Sequence, residues 1–285
     1  MILVTGATGT IGSELVRQLA ESGERVRALT RNPAAATVPD GVEVVGGDYA
    51  DPDALSAAMA GAEAAFLVGV FGPHTDADTA LVAAAQAAGV RRAVKLSAIG
   101  TGDPELGWIG TWHRTGELAL QDSGLAWTVL RPSAFATNSL AWADDIRHGK
   151  PVPSRTGRGA QGVIDPQDVA AVAVRALVSD AHAGRTYTLT GPAALSEYDQ
   201  AAILGAALGR PVEVVDLSEA EIRARMSAAG MPDDYIDGAQ QGGAFIRSGR
   251  NATLTDDVRE VLGRSPRSYA EWVADHLDAF TAPGA

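Results

Sequence analysis

The chain has 285 residues, is 46% hydrophobic, contains no cysteine, and sets 23 Lys and Arg against 35 Asp and Glu for a formal net charge of -12. That length holds one large domain or a domain with a smaller lobe, the acidic balance argues against nucleic acid or an anionic membrane as partner, and the missing cysteines exclude disulfides, thiolate catalysis and cysteine-ligated metals. No apolar run approaches the about 18 residues that span a bilayer, and the chain opens directly on strand-like sequence, so a cytoplasmic protein is expected.

Met1–Thr5 (MILVT) reads as a short buried strand, followed at once by Gly6-Ala7-Thr8-Gly9-Thr10-Ile11-Gly12. Ile11, Leu15 and Leu19 then recur every fourth residue with polar side chains opposite, the pattern of an amphipathic helix. Gly23 ends that helix and Arg25–Thr30 resumes strand character. A glycine-rich turn between strand and helix lets a pyrophosphate approach open N–H groups and the positive end of the helix dipole, so nucleotide binding is expected.

The alternation continues through strands at Val42–Gly46, Ala64–Gly69, Ala93–Ser97 and Ala126–Arg131. Helices are expected from Pro52 with Asp51 as cap, over Asp76–Ala88, and over Thr111–Gln121. Six strands alternating with helices imply an α/β fold, a Rossmann-type doubly wound parallel sheet with right-handed crossovers. Beyond Pro132 the rhythm changes, and residues 136–164 read as irregular. Asp165–Ser179 is expected as a helix and Arg185–Thr190 as a last sheet strand. Further helices are expected at Ser196–Leu208, Ser218–Ala229, Thr255–Leu262 and Ser268–Phe280, a short strand at Val212–Val215, and a mobile loop at Gln240–Gly249. The division expected is a nucleotide domain over 1–132, with 165–190 returning to it, and a smaller C-terminal α/β substrate lobe from 133–164 and 191–285.

The second strand ends Thr30-Arg31-Asn32 with no acid nearby. A carboxylate there would suit the ribose of NAD, whereas Arg31 suits the extra phosphate of NADP, so NADPH is expected over NADH. The alternative for Arg31 is a solvated surface arginine. No metal and no flavin are expected.

The residues VTGATGTIG, TRN, GDYADPDAL, AVKLSAIG and HRTGELALQDSGLAWTVLRPSAF resemble the NmrA-like atypical short-chain dehydrogenases/reductases, and within them the NAD(P)H:quinone oxidoreductases of type 2. The resemblance implies that Gly6, Thr8, Gly9, Thr10, Ile11 and Gly12 line the pyrophosphate and Arg31 the ribose phosphate. It further implies that Asp48 and Tyr49 hold the adenine edge, that Leu67, Val68 and Gly69 pass under the ribose, and that Pro132 to Phe135 flank the nicotinamide. Without it, Asp48 is equally a turn residue.

The familiar short-chain reductase site pairs tyrosine with a lysine four residues on, but Tyr49, Tyr187, Tyr198, Tyr235 and Tyr269 are followed at that spacing by Asp53, Gly191, Ala202, Ala239 and Val273. In its place stand His113 and Glu117, one helical turn apart, as in the quinone oxidoreductases. His113 is expected to hydrogen-bond or protonate a substrate carbonyl, with Glu117 orienting it or raising its pKa; the alternative is a helix-surface ion pair. Ser97 is expected either in a catalytic and cofactor-binding role or as a turn cap. Phe71, Trp108, Trp112, Phe135, Asn138 and Trp142 are candidates for an aromatic substrate pocket.

These features point to a reductase moving hydride from NADPH to a quinone or related aromatic carbonyl compound. The partner expected is a small molecule, and the chain a monomer or homodimer. Alternatives are a non-catalytic NADP(H)-binding redox sensor of the NmrA type, or a tailoring reductase or isomerase of a polycyclic intermediate.

Overall fold

Strands buried on both faces need helices above and below them, and the chain supplies these alternately. The computed structural model describes residues 1–69 and 76–281. The elements run β1 (Ile2–Val4), α1 (Thr10–Glu21), β2 (Val26–Thr30), β3 (Glu43–Gly46), α2 (Pro52–Met59), β4 (Ala64–Leu67), α3 (Ala77–Ala87) and β5 (Arg92–Leu96). A short α4 (Gly107–Thr111) precedes α5 (Arg114–Asp122), β6 (Ala126–Pro132), α6 (Ala143–Arg147), β7 (Val152–Ser154), β8 (Gln161–Gly162), α7 (Pro166–Val178) and β9 (Arg185–Leu189). The chain ends with β10 (Ala194–Leu195), α8 (Glu197–Leu208), β11 (Val214–Asp216), α9 (Glu219–Ala228), α10 (Asp233–Arg247), α11 (Asp257–Leu262) and α12 (Tyr269–Asp275).

Among the described residues, seven strands form one parallel sheet in the order β3-β2-β1-β4-β5-β6-β9. The order reverses between β1 and β4, and that crevice is where doubly wound sheets bind their ligands. One face buries Ile11, Leu15 and Leu19 of α1 with Val169, Val172 and Ala176 of α7; the other buries Leu55, Met59, Leu81 and Leu120. The Asp51 carboxylate caps α2 by accepting from the Asp53 and Ala54 amides, and Asp165 caps α7 through the Gln167 amide. A third apolar cluster, around Trp142, Ile146, Leu204, Trp272 and Phe280, lies beyond β6 and holds the C-terminal elements. Two small sheets, β8-β10 and β7-β11, tie these together.

Three expectations need correction. Residues 240–247, expected as loop, continue helix α10, because tertiary contact overrides the low helix propensity of its glycines. Gly238 is the reason the helix packs where it does: a Cβ there would stand 2.2 Å from the Trp108 indole. The segment 136–164 is not wholly irregular, since it holds a 3-10 turn at Ala136–Trp142, then α6, β7 and β8. The helix expected at Thr111–Gln121 begins only at Arg114, behind the separate α4. No helix of the described residues is long and apolar enough to cross a membrane.

Gly238→Ala forces an atom into the Trp108 ring and should destabilise the protein by about 1–3 kcal/mol through overpacking. Urea unfolding followed by tryptophan fluorescence would read this, and an unchanged midpoint would show that α10 docks elsewhere.

Candidate active site

The turn after β1 is shaped for close approach. Gly6 has φ of 58°, and a Cβ on Gly12 would lie 2.1 Å from the Gly6 carbonyl oxygen, so only glycine lets α1 start against the turn. Gly9 caps α1 without any side-chain hydrogen bond, which leaves the first-turn amides of Thr10, Ile11 and Gly12 free of a side-chain lid. Thr8, Gly9 and Thr10 are exposed, whereas the Ile11 side chain is buried in the core and only its backbone faces the turn. Thr5 ties β1 to β4: its hydroxyl donates to the Phe66 carbonyl and accepts from the Val68 amide at 2.8 Å. Tyr49 lies beside Thr5 and the Gly6 backbone, and burial pushes its phenol above the ordinary value. Asp48 is exposed and its carboxylate accepts from the Ala50 amide at 2.9 Å, a turn contact. Arg31 is exposed and makes no ion pair among the described residues.

The far side of the crevice is built at the carboxyl ends of β5 and β6. Ser133, next after β6, has a buried hydroxyl without a hydrogen-bond partner. An open helix start, an unpaired arginine after β2 and an orphaned hydroxyl after β6 fit a dinucleotide phosphate, a ribose phosphate and a carboxamide in turn.

Two buried polar clusters stand behind this crevice. Lys95 points out of β5 with no exposed surface, and its ammonium lies 2.5 Å from Asp78 Oδ2 on α3, 3.0 Å from the Leu96 carbonyl and 3.4 Å from His113 Nδ1. His113 Nδ1 is also 3.5 Å from Asp78 Oδ2. Gly69 and Gly116 make room for that carboxylate: a Cβ on Gly69 would lie 2.1 Å from Asp78 Oδ1, and one on Gly116 2.4 Å from Asp78 Cβ. Burial alone would raise the Asp78 carboxyl, yet the neighbouring His113 and Lys95 side chains hold it below its ordinary range. Burial lowers both Lys95 and His113, with Asp78 opposing in each case.

The second cluster centres on Glu117. Its carboxylate accepts from Ser97 Oγ at 2.6 Å and from Arg131 Nε and Nη2 at 2.9 and 2.6 Å. Ser97 also meets Thr101 Oγ1 at 3.1 Å. Glu117 therefore does not orient His113, as its spacing suggested; the two side chains turn to different partners. Nor is the pair a surface ion pair, since Glu117 is fully buried, and the histidine is lowered by burial and not raised.

A cavity of about 580 Å³ opens beyond β6. Phe135, Asn138 and Trp142 line one side, and Ile222, Met226 and Met231 lie opposite. Arg155, Arg225 and Arg247 are the arginines of its wall. Trp108 and Trp112 do not line it. Trp108 lies tilted against Trp112 with centroids 5.8 Å apart and edge-on to Tyr235 at 5.7 Å, and donates to the Asp234 carbonyl, while Trp112 meets the His113 ring edge-on at 4.6 Å. Pro132 ends β6, and its carbonyl accepts from the Ile99 amide. Phe71 lies outside the described residues.

Asp78, Lys95 and Arg131 escaped the sequence reading. A lysine inside the apolar strand AVKLS and an aspartate on an alanine-rich helix were the available signals, since charges at buried positions rarely stand alone.

Residues 6–180 match the family model described as NAD(P)H-binding. The chain is similar to a (4-alkanoyl-5-oxo-2,5-dihydrofuran-3-yl)methyl phosphate reductase of Streptomyces griseus, 41% identical over 98% of this chain and 99% of the relative. It is also similar to an NAD(P)H azoreductase of Xenophilus azovorans, 38% identical over 99% of this chain and 100% of the relative. Among solved structures, the NADPH-dependent quinone oxidoreductase of Escherichia coli complexed with NADPH superposes with a TM-score of 0.83 at 29% identity, covering 97% of this chain and 100% of that one.

With burial lowering His113 below 6.5, the ring is neutral at pH 7 and the folded state binds a proton less readily than the unfolded chain. The stability this contributes is present above pH 6.5 and is lost as pH falls from there through the folded value. Histidine-selective NMR should place the His113 midpoint below 6.5, and a midpoint above it would contradict the burial argument.

Proposed function

The chain belongs to the NAD(P)H-binding family and is an NAD(P)H-dependent reductase related to quinone oxidoreductases and azoreductases, and on that premise we propose that it prefers NADPH and reduces a quinone or related conjugated aromatic carbonyl compound. The observation that carries this reading is the cavity of about 580 Å³ beside the β6 loop, walled by Phe135, Trp142, Ile222, Met226 and Met231, a size and apolar character suited to a compound of two or three rings.

In this reading the amides of Gly9 to Gly12 bind the pyrophosphate, Arg31 binds the ribose phosphate, and the Ser133 hydroxyl receives the carboxamide. NADPH, when bound, supplies a hydride. The protein's part is to align the acceptor and keep water away, with Phe135 and Trp142 holding the acceptor ring and Asn138 within the same wall to meet an oxygen. The His113 ring offers a hydrogen bond to the acceptor oxygen as negative charge develops there. Quinone, hydride and one proton from solvent balance to hydroquinone. Ser97 is committed to Glu117 and Thr101, which supports a positioning part for Ser97 and Glu117 in place of direct proton transfer.

Purified protein, mixed with NADPH and a quinone panel, should oxidise the cofactor; intact NADPH binding with no turnover across the panel would refute the acceptor class. Arg31→Ala should weaken NADPH by about 10–100-fold, the worth of a charged hydrogen-bonded contact, and leave NADH nearly unchanged. Equal losses for both cofactors in calorimetric titration would remove Arg31 from the phosphate site.

A second reading has its own observation. Arg155 and Arg225 line the cavity without a carboxylate partner among the described residues, and the Streptomyces griseus relative is named for a phosphorylated substrate. A phosphorylated enone or lactone would place its phosphate on those guanidinium groups. Phenyl phosphate should then compete with the acceptor, and Arg225→Ala should abolish the competition; a neutral ring that competes equally well, with no effect of Arg225→Ala, would return the choice to the quinone.

A further inference from the structure

We propose that Lys95, anchored by Asp78, fixes the imidazole of His113 as the Nε2–H tautomer and so makes it a standing hydrogen-bond donor toward the acceptor oxygen. The assignment follows from counting donors. An ammonium has three N–H groups and no capacity to accept, and at Lys95 it has no exposed surface through which water could serve one of them. Among the described residues its surroundings offer three acceptors: Asp78 Oδ2 at 2.5 Å, the Leu96 carbonyl at 3.0 Å and His113 Nδ1 at 3.4 Å. All three are satisfied only if Nδ1 accepts.

A hydrogen on Nδ1 would face an ammonium hydrogen across 3.4 Å and leave that hydrogen unpaired. Its only compensation is Asp78 Oδ2 at 3.5 Å, an oxygen already held by lysine a full ångström closer. The proton of the ring therefore resides on Nε2. Among the described residues that atom makes no hydrogen bond and is not one of the buried polar atoms lacking a partner, so it is open to solvent and to a ligand. Trp112, edge-on at 88°, holds the plane of the ring. The cut-outs at Gly69 and Gly116 hold Asp78, and thus the lysine, in place. The other charged group facing this cluster is Glu117, which is engaged by Arg131 and Ser97.

The arrangement divides the work between two kinds of residue. On the reductase reading His113, which is not itself among the residues lining the cavity of about 580 Å³, is the group that reaches the acceptor oxygen, while Lys95 and Asp78 are positioning residues that act through it. The role toward an acceptor rests on the reductase reading above, whereas the tautomer is a property of the free protein.

Long-range proton–nitrogen correlation spectra of protein labelled in histidine, recorded above the ring's titration, read the tautomer directly. His113→Gln identifies the signal among the five histidines. The expected result is an unprotonated Nδ1 and a protonated Nε2, and in Lys95→Met a switch to Nδ1–H now donated to Asp78. A protonated Nδ1 or an even mixture in the wild-type protein overturns the proposal, and that spectrum decides without any variant. Retention of Nε2–H in folded Lys95→Met overturns it as well. In quinone turnover, Lys95→Met should lower kcat by about 10²-fold, the cost of one misdirected donor, with KM for NADPH changed by less than about two-fold. Unchanged kcat despite the switched tautomer overturns the donor role. Absence of quinone turnover in wild-type protein with the expected tautomer would instead sink the acceptor reading alone.

Discussion

A charge placed where water cannot reach must be answered by the protein, and the carboxyl edge of this sheet holds several such charges at once. Lys95 is answered by Asp78, the Leu96 carbonyl and His113, and Glu117 is gripped by Arg131 and Ser97. Removing charges from water costs more than a single contact returns, so such groups persist only with full sets of partners. The sheet supplies these because parallel strands end together: β5 delivers Lys95 and Ser97, β6 delivers Arg131, and the helices after β4 and β5 bring Asp78, His113 and Glu117 back over the same edge. The glycines at 69 and 116 are part of the same requirement, since an alanine at either place would occupy the volume of the Asp78 carboxylate.

The nucleotide half of the molecule was largely legible from residue order. The periodicity of Ile11, Leu15 and Leu19, the glycines at 6, 9 and 12, and the cap at Asp51 are local signals, and local signals survive folding. The parallel, doubly wound character of the sheet also followed, because strand–helix alternation admits few topologies; the strand order itself came from the structure. What sequence could not give was the pairing of charges. His113 and Glu117 share a helix face, yet α5 lies so that one meets α3 and β5 while the other meets β6. Spacing along one helix states which side chains are neighbours there; which neighbour wins is decided by elements distant in sequence. The same applies to Gln240–Gly249, whose glycines read as a loop until Trp108 is seen to lie against Gly238.

The aromatic residues separate along a similar line. Trp142 and Phe135 follow β6 directly and reach the cavity, because that strand end determines where they go. Trp108 and Trp112 belong to the α4 region, where their neighbours are one another, Tyr235 and His113. They tie α10 to the start of α5 and so set the distance between one wall of the cavity and the histidine.

The two sides of the cavity are thus not equivalent. Phe135 and Asn138 hang from the β6 end of the sheet, fixed by the Ala136–Ile164 backbone contact, and cannot shift without disturbing the strands that hold the buried charges. The opposite side, formed by α9 and α10, has few fully buried residues of its own: Ile222 in α9, and Ile236, Gly238 and Gly243 in α10. On the reading proposed above, substitutions in that wall exchange one acceptor for another while the buried charges behind His113 stay as they are.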